Sequence, residues 1–191
     1  MDFRSDIFYI RQVQEGKINA FSHLVDRHKD KAYNLAFRIC ANREEAEEIA
    51  QDAFIKAYRS LNNFRMKSSF ATWLYRIVYN TAISLVRSRK NKILALEEFP
   101  ADAVDFLSSC TSQDEAVEEY RSSLVNFAMQ KISEDDRGLI TLYYYNDLDM
   151  EEISKITGIS RSNIKVKLYR ARRKMAEIIE KNENKIVSYH G

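Results

Sequence analysis

Apolar residues recur along this chain at three- and four-residue steps, and no stretch alternates apolar and polar as a half-buried strand would. The spacing predicts a short amphipathic helix over Ser5–Glu15, with Ile7, Ile10 and Val13 inward and Gly16 placed to end it. A second helix is expected from Ala20 to Ala41, with Phe21, Leu24, Val25, Leu35, Ile39 and Cys40 as its apolar face. Asn42 with Glu45 forms a capping-box pattern that opens a third, whose core side is Ala46, Ile49, Ala50, Ala53, Phe54, Ala57, Tyr58 and Leu61. Ser68 or Ser69 caps a fourth that continues to about Arg87, with Phe70, Leu74, Ile77, Val78, Thr81 and Leu85 inward. From Ile93 to about Thr111 the periodicity fades around Pro100, the only proline, and the segment reads as a linker. Ser112 with Glu115 starts a helix lined by Val117, Tyr120, Leu124, Phe127, Ala128 and Ile132. Ser133 starts another, with Leu139, Ile140, Leu142 and Tyr143 as core candidates. Asp149 with Glu152 then caps a short helix, Gly158 makes a tight turn, and Ser160 caps a long last helix. Ile153, Ile156, Ile159, Ile164 and Leu168 are spaced to pack those two helices together, and Ala171 and Met175 extend the inner face. That is the helix-turn-helix pattern. The expected fold is all-α: a helical domain over 1–92, an acidic linker over 93–111, and a helix-turn-helix domain over 112–191.

Charge sharpens this division. The 191 residues carry a net +2, yet eight acids and no Lys or Arg fall between Ile93 and Tyr120 (Glu97, Glu98, Asp102, Asp105, Asp114, Glu115, Glu118, Glu119). The remainder is therefore strongly basic, with clusters at Arg87–Lys92 and Arg161–Lys174. Basic patches on either side of an acidic spacer fit two nucleic-acid-binding units better than a metabolic enzyme. No apolar run reaches the roughly 18 residues of a membrane span. The opening MDFRSDIFYIRQ has charges where a signal peptide needs an apolar core, so a cytoplasmic protein is expected. Cys40 and Cys110 are too few for a zinc site or a disulfide framework and read as small hydrophobes.

Three polar faces carry candidate chemistry. On the fourth helix Trp73, Arg76, Asn80, Ser84 and Arg87 share a face separate from the core stripe. A ring, guanidiniums and an amide can stack on bases, pair with phosphates and bond base edges. Core packing of Trp73 under solvated arginines is the other reading of the same residues. On the third helix Glu44, Glu48, Gln51, Asp52 and Ile55 lie outward, as a solvated acidic face or a docking ridge. Acid-base or metal chemistry would need a His, a Cys or a third ligand beside Glu48 and Asp52, and none accompanies them. On the last helix Lys165, Val166, Tyr169, Arg170 and Arg173 face outward within a run of seven bases and no acid, from Arg161 to Lys174. A generic basic helix meeting RNA or a membrane is the alternative there.

A family resemblance bears on all three. SSFATWLYRIVYNTAISLVRSRK resembles the promoter-melting segment of bacterial sigma factors of the sigma-70 family, in the small two-domain extracytoplasmic-function (ECF) group. The TWL tripeptide, the Asn seven residues after the Trp and the closing basic run all match, while Ser84 stands where many members have Asp. EEIAQDAFIKAY is similar to the segment that docks on the polymerase clamp, which implies polymerase contacts for Glu48, Gln51 and Asp52. SRSNIKVKLYRAR is similar to the segment that reads the −35 element, with Asn163 and Val166 where members often have Thr and Ser. The resemblance, which runs from about Ala20 to Lys181, implies base-edge contacts from Lys165, Val166, Tyr169 and Arg170. Arg161, Ser162 and Arg172 would hold phosphates, with Arg173 beside them. It implies a −10 trap for a flipped base lined by Phe64, Ser68, Ser69 and Asn80, supported by Trp73, Arg76 and Arg87. The implied partners are promoter DNA and core RNA polymerase, through the clamp helices of its largest subunit and the flap of the second-largest. An anti-sigma factor is a further candidate partner. There is no GK[ST] phosphate loop, so melting would be driven by binding energy, without catalysis or cofactor. The competing function is a helix-turn-helix regulator that binds duplex DNA independently of polymerase. That reading leaves the face from Phe64 to Asn80 without a role.

Overall fold

The computed structural model describes residues 5–96 and 113–189, with side chains described over 5–90 and 120–182. Among these residues there are eight α-helices and no strand: α1 (Asp6–Gln14), α2 (Phe21–Cys40), α3 (Arg43–Ser60), α4 (Phe70–Leu96), α5 (Gln113–Gln130), α6 (Glu134–Ile140), α7 (Met150–Thr157) and α8 (Arg161–Tyr189). Short 3₁₀ turns at Ile18–Ala20 and Leu61–Asn63 join α1 to α2 and α3 to α4, and a π-helical turn at Thr141–Tyr145 follows α6.

The N-terminal unit is built on α2, α3 and α4, packed on one another. Alanines at 32, 36, 46, 53 and 57 are fully buried and let α2 and α3 approach closely, while Leu24, Leu35, Ile39, Leu74 and Val78 fill the space between. Caps set the boundaries. Ala41, left-handed at φ 55°, ends α2, and its amide donates to the Phe37 carbonyl at 2.8 Å. Asn42 Oδ1 accepts from the Glu45 amide at 2.9 Å and starts α3. The Glu45 carboxylate turns instead to Arg89, so the expected capping box is only half made. Ser69 Oγ accepts from the Thr72 amide at 3.0 Å and opens α4. His28, buried in α2, hydrogen-bonds Asp6 at 2.8 Å and ties α1 to the unit.

In the C-terminal unit α5 pairs with α8, and α6 and α7 pack beside them. The Asp149–Glu152 capping box on α7 is complete, and Gly158 takes φ 74° in the turn before α8. Ile153, Ile156, Ile164, Leu168 and Ala171 are buried between α7 and α8, with Ile159 and Met175 half-buried.

Several expectations change. Helix α4 runs on to Leu96 rather than ending near Arg87. Ile7 is exposed, because Tyr9 takes the inner position of α1 and stacks on His23 at 4.4 Å. Tyr58 is exposed beside Phe21, and Tyr120 and Phe127 lie outside the buried α5 stripe of Leu124, Ala128 and Met129, with Ile132 buried just past the helix end. Tyr143 sits on the exposed π-helical turn, edge-on to Tyr144. Phe21, Val25, Ile77, Thr81 and Leu85 are half-buried, whereas Tyr75, Tyr79, Ile83 and Val86 are buried. Tyr79 is covered by α6, where its hydroxyl reaches Asp135 and its ring meets Gly138, while Tyr75 lies edge-on to His28 of α2. Cys40 is buried, as expected of a small hydrophobe. Cys110 and Ser112 lie outside the described residues, and the side chains of Glu115 and Val117 outside the described side chains.

Candidate nucleic-acid interface

Helix α4 presents Arg76, Asn80, Ser84 and Arg87 to solvent on one face. Arg76 and Asn80 have no polar partner among the described residues, so their donors and acceptors are available to a ligand. Trp73, at the N-terminal end of this face, is half-buried. Its ring lies 4.8 Å from Phe64 and 5.8 Å from Phe70. Phe64 itself is buried, so the loop before α4 does fold back over the helix. It forms the wall behind Trp73 rather than an open surface. Ser69 is engaged as the cap of α4, and Ser68 sits half-buried in the same loop. The result is a supported aromatic ledge beside an exposed amide and guanidinium, suited to stacking and base-edge bonding.

Helix α8 exposes Arg161, Ser162, Lys165, Val166, Tyr169, Arg170, Arg172 and Arg173. Val166 is 45% and Tyr169 60% exposed, on the side of α8 away from the buried Ile164, Leu168 and Ala171. Exposed apolar side chains within a basic run suit base edges and thymine methyls. Three of the set have partners: Ser162 shares a hydrogen bond with the Ser160 hydroxyl at 3.3 Å, Arg172 donates to the Tyr144 hydroxyl at 2.9 Å, and Arg173 pairs with Glu177 at 3.0 Å. Tyr144 was not singled out in the sequence. Its position in a run of three tyrosines before the helix-turn-helix is the only signal that pointed to it.

Helix α3 sorts its carboxylates. Glu45 pairs with Arg89 and Glu47 with Arg43. Glu48, Gln51 and Asp52 are exposed and have no partner among the described residues, and Ile55 continues their ridge at 47% exposure. An unneutralised acidic ridge next to an exposed apolar side chain suits the docking of a basic partner. No group of three metal-ligating side chains gathers among the described residues. No described helix is long and apolar enough to cross a membrane.

Family comparison assigns the two units. Residues 24–92 match the model of Sigma-70 region 2, and residues 124–175 match that of Sigma-70, region 4. The chain is 34% identical over 169 residues to the ECF RNA polymerase sigma factor SigW of Bacillus subtilis (strain 168), covering 85% of this chain and 90% of that protein. The chain belongs to the ECF sigma factors. The ECF RNA polymerase sigma-E factor of Escherichia coli (strain K12) is similar at 32% identity, over 88% of this chain and 91% of that one. Among solved structures, the sigma factor RpoE in complex with the anti-sigma factor NepR from Bartonella quintana superposes with a TM-score of 0.68 at 21% identity, covering 84% of this chain and 96% of that one. CnrH in complex with the cytosolic domain of CnrY gives a TM-score of 0.66 at 22% identity, over 93% and 98%. Both share the fold. In sigma terms, the α4 face lies in region 2 and the α8 face in region 4.

Proposed function

We propose that this ECF sigma factor binds core RNA polymerase, places it at specific promoters and opens the −10 region. It acts as a non-enzymatic specificity subunit. The observation that carries this is the joining, in one chain, of a region 2 helix whose Arg76–Asn80 face is open beside Trp73 with a region 4 helix-turn-helix whose recognition face is exposed. Lys165, Val166, Tyr169 and Arg170 read −35 base edges, while Arg161, Ser162, Arg172 and Arg173 hold the backbone. Each good bidentate base contact discriminates by about 1–3 kcal/mol. At −10, Asn80 bonds the edge of an extruded base, Trp73 on its Phe64 wall replaces the lost stacking partner, and Arg76 and Arg87 hold the strand. Ser68 and Ser69 border that pocket. Extrusion costs a few kcal/mol, which stacking and hydrogen bonds must return. Glu48, Gln51 and Asp52 dock on the polymerase clamp, and region 4 meets the flap. Residues 1–92 and 112–191 are the functional domains, joined by the acidic segment 93–111. An anti-sigma factor is a fitting regulator, since the similar RpoE structure holds a sigma factor in complex with the anti-sigma factor NepR.

Transcription in vitro tests this reading. Purified core polymerase on genomic DNA from the source organism should initiate at a small set of new sites only when this chain is added. Initiation sites unchanged by its addition would sink the assignment.

A further inference from the structure

Arg137, on α6, is a cation without a bonded anion. It is half-buried, and among the described residues nothing accepts a hydrogen bond from its guanidinium. Its Nε is fully buried and has no acceptor. Burial disfavours the charge and pushes the pKa of Arg137 down, against the attraction of Glu134 nearby. Glu134 does not bond it, because both of its oxygens accept from Lys90, at 2.8 and 2.7 Å. Arginine is rarely taken out of water without a paired anion, since the lost hydration is otherwise uncompensated.

The surroundings of Arg137 repeat the same imbalance. It lines a cleft of about 210 Å³ between α2, α5 and α6. Arg38 of α2 lines that cleft too, with its guanidinium 3.7 Å from the centroid of the Tyr145 ring. A ring face attracts the cation but brings no formal charge to neutralise it. Phe37 and the buried Met129 form apolar wall. Asn34 and Asn126 bring side-chain amides that have no hydrogen-bond partner among the described residues. No Asp or Glu lines the cleft. Two guanidiniums and two spare amides therefore border one partly apolar space, and the lining supplies no anion to it.

We propose that this cleft binds a small organic anion, an oxyanion head carried on a compact apolar body. The planar fork of a guanidinium matches paired oxygens of a carboxylate or a phosphate, so the head meets Arg137 and Arg38. The amides of Asn34 and Asn126 bond its remaining lone pairs, and the body lies against Phe37 and Met129. Size limits that body. The cleft is smaller than the roughly 300–1,000 Å³ of sites for drug-sized ligands, which suits a single ring or a short branched chain. The site shares no residue with the α4 face, the α3 ridge or the recognition face of α8, so it stands independently of the reading given above for those surfaces.

NMR titration of the full chain, labelled with ¹³C at the methionine methyls, tests this. The probes are benzoate and phenyl phosphate, with benzamide as the uncharged counterpart and inorganic phosphate as the head without a body. The Met129 methyl signal, assigned with Met129→Leu, should shift saturably with at least one of the two organic anions. Tighter binding of benzoate assigns a carboxylate ligand, and tighter binding of phenyl phosphate a phosphate ester. Benzamide and inorganic phosphate should each bind at least about tenfold more weakly than the better anion. Arg137→Gln should cut the preference for that anion over benzamide by about tenfold, with the helical circular-dichroism signal unchanged. Arg38→Gln, at a position whose side chain rests only on a ring, should weaken the anion similarly and stands in if Arg137→Gln does not fold. A Met129 signal that moves with neither anion up to their solubility limits overturns the proposal and leaves both guanidiniums simply hydrated. Benzamide binding as tightly as the anions overturns the charge recognition, and inorganic phosphate binding as tightly overturns the apolar body. Anion affinity unchanged in a folded Arg137→Gln or Arg38→Gln variant also overturns it.

Discussion

Trp73 could be read from the sequence either as core or as a nucleic-acid contact, and its position joins the two. Its ring leans on Phe64 and Phe70 while its outer edge borders the exposed Arg76 and Asn80. Trp73→Ala should therefore lower stability moderately and impair open-complex formation more than initial duplex binding. A template already unpaired at −10 should restore much of the activity. Asn80→Ala should leave stability unchanged and be rescued less well, because its contact is to the flipped base itself. Permanganate reactivity of unpaired thymines, with transcription from duplex and pre-opened templates, separates these outcomes; normal melting by both folded variants would return Trp73 to the core. On α8 the free Arg170 and the Tyr144-held Arg172 should differ in kind. Arg170→Ala should cost about 1–3 kcal/mol at particular base pairs and relax preference there. Arg172→Ala should weaken all sequences alike and lower the salt slope by about one. A uniform loss with Arg170→Ala would make it a phosphate contact. These side chains were legible because exposure of Val166, Tyr169 and Arg170 follows from helical phase alone. Phe64 was only half legible: its loop folds back as expected, but helical phase gives no depth for a side chain outside the helix.

Helix ends were the most legible feature at the scale of elements, because a cap is a local bond between residues close in sequence. Ser69, Ser133, Asn42 and Asp149 each accept the amide expected of them. Asp149 is the most consequential, since its cap and Glu152 build the α7 end that rests on α4. Asp149→Ala should destabilise the C-terminal unit by about 1 kcal/mol. Its chemical-denaturation midpoint should fall with an unchanged slope, and −35 duplex binding should survive at low denaturant. A midpoint equal to wild type would show that the box contributes nothing. The second buried side of α4 was illegible by comparison. Tyr75, Tyr79, Ile83 and Val86 have an apolar spacing as good as that of the first stripe, but periodicity does not say how many partners a helix has. A clue was present in Gly138, an interior helix glycine, which marks a close backbone approach. That approach is to a residue 59 positions away in sequence, which no local pattern identifies.

Over the whole molecule the sign of charge is sorted by surface: an acidic ridge on α3, basic faces on α4 and α8, and an acidic α6 start against the basic end of α4. The free ridge gives an expected outcome for assembly. Glu48→Lys with Asp52→Lys should reduce capture of core polymerase about tenfold or more while helicity stays constant, because reversal turns attraction at a desolvated contact into repulsion. Unchanged capture would remove polymerase docking from this face. The α6–α4 contact gives a pH dependence. Glu134 faces Lys90 from α4 and Arg137 on its own helix, with the Arg87–Asp135 pair alongside. Burial raises its pKa, but the hydrogen bond from Lys90 and the nearby cations outweigh this and hold it below the usual carboxylate value. A carboxylate depressed by this contact stabilises the contact above its free pKa, and the contribution disappears as pH falls through the depressed value. The packing of α6 on α4 should therefore be constant from neutral pH down to the ordinary glutamate range and weaken only below it. Asp6, lowered likewise by His28 and Arg27 against its own burial, binds α1 to α2 and loses its contribution over the same acidic range. Acidification should accordingly expand the chain by two processes that different probes resolve. Domain opening raises the radius of gyration with helicity intact, and loosening of α1 lowers helicity. Glu134→Gln should loosen the α6–α4 contact already at neutral pH and lose the acid dependence of the first process while keeping the second. If its scattering matched wild type at every pH, the Lys90–Glu134 pair would not hold the two units together.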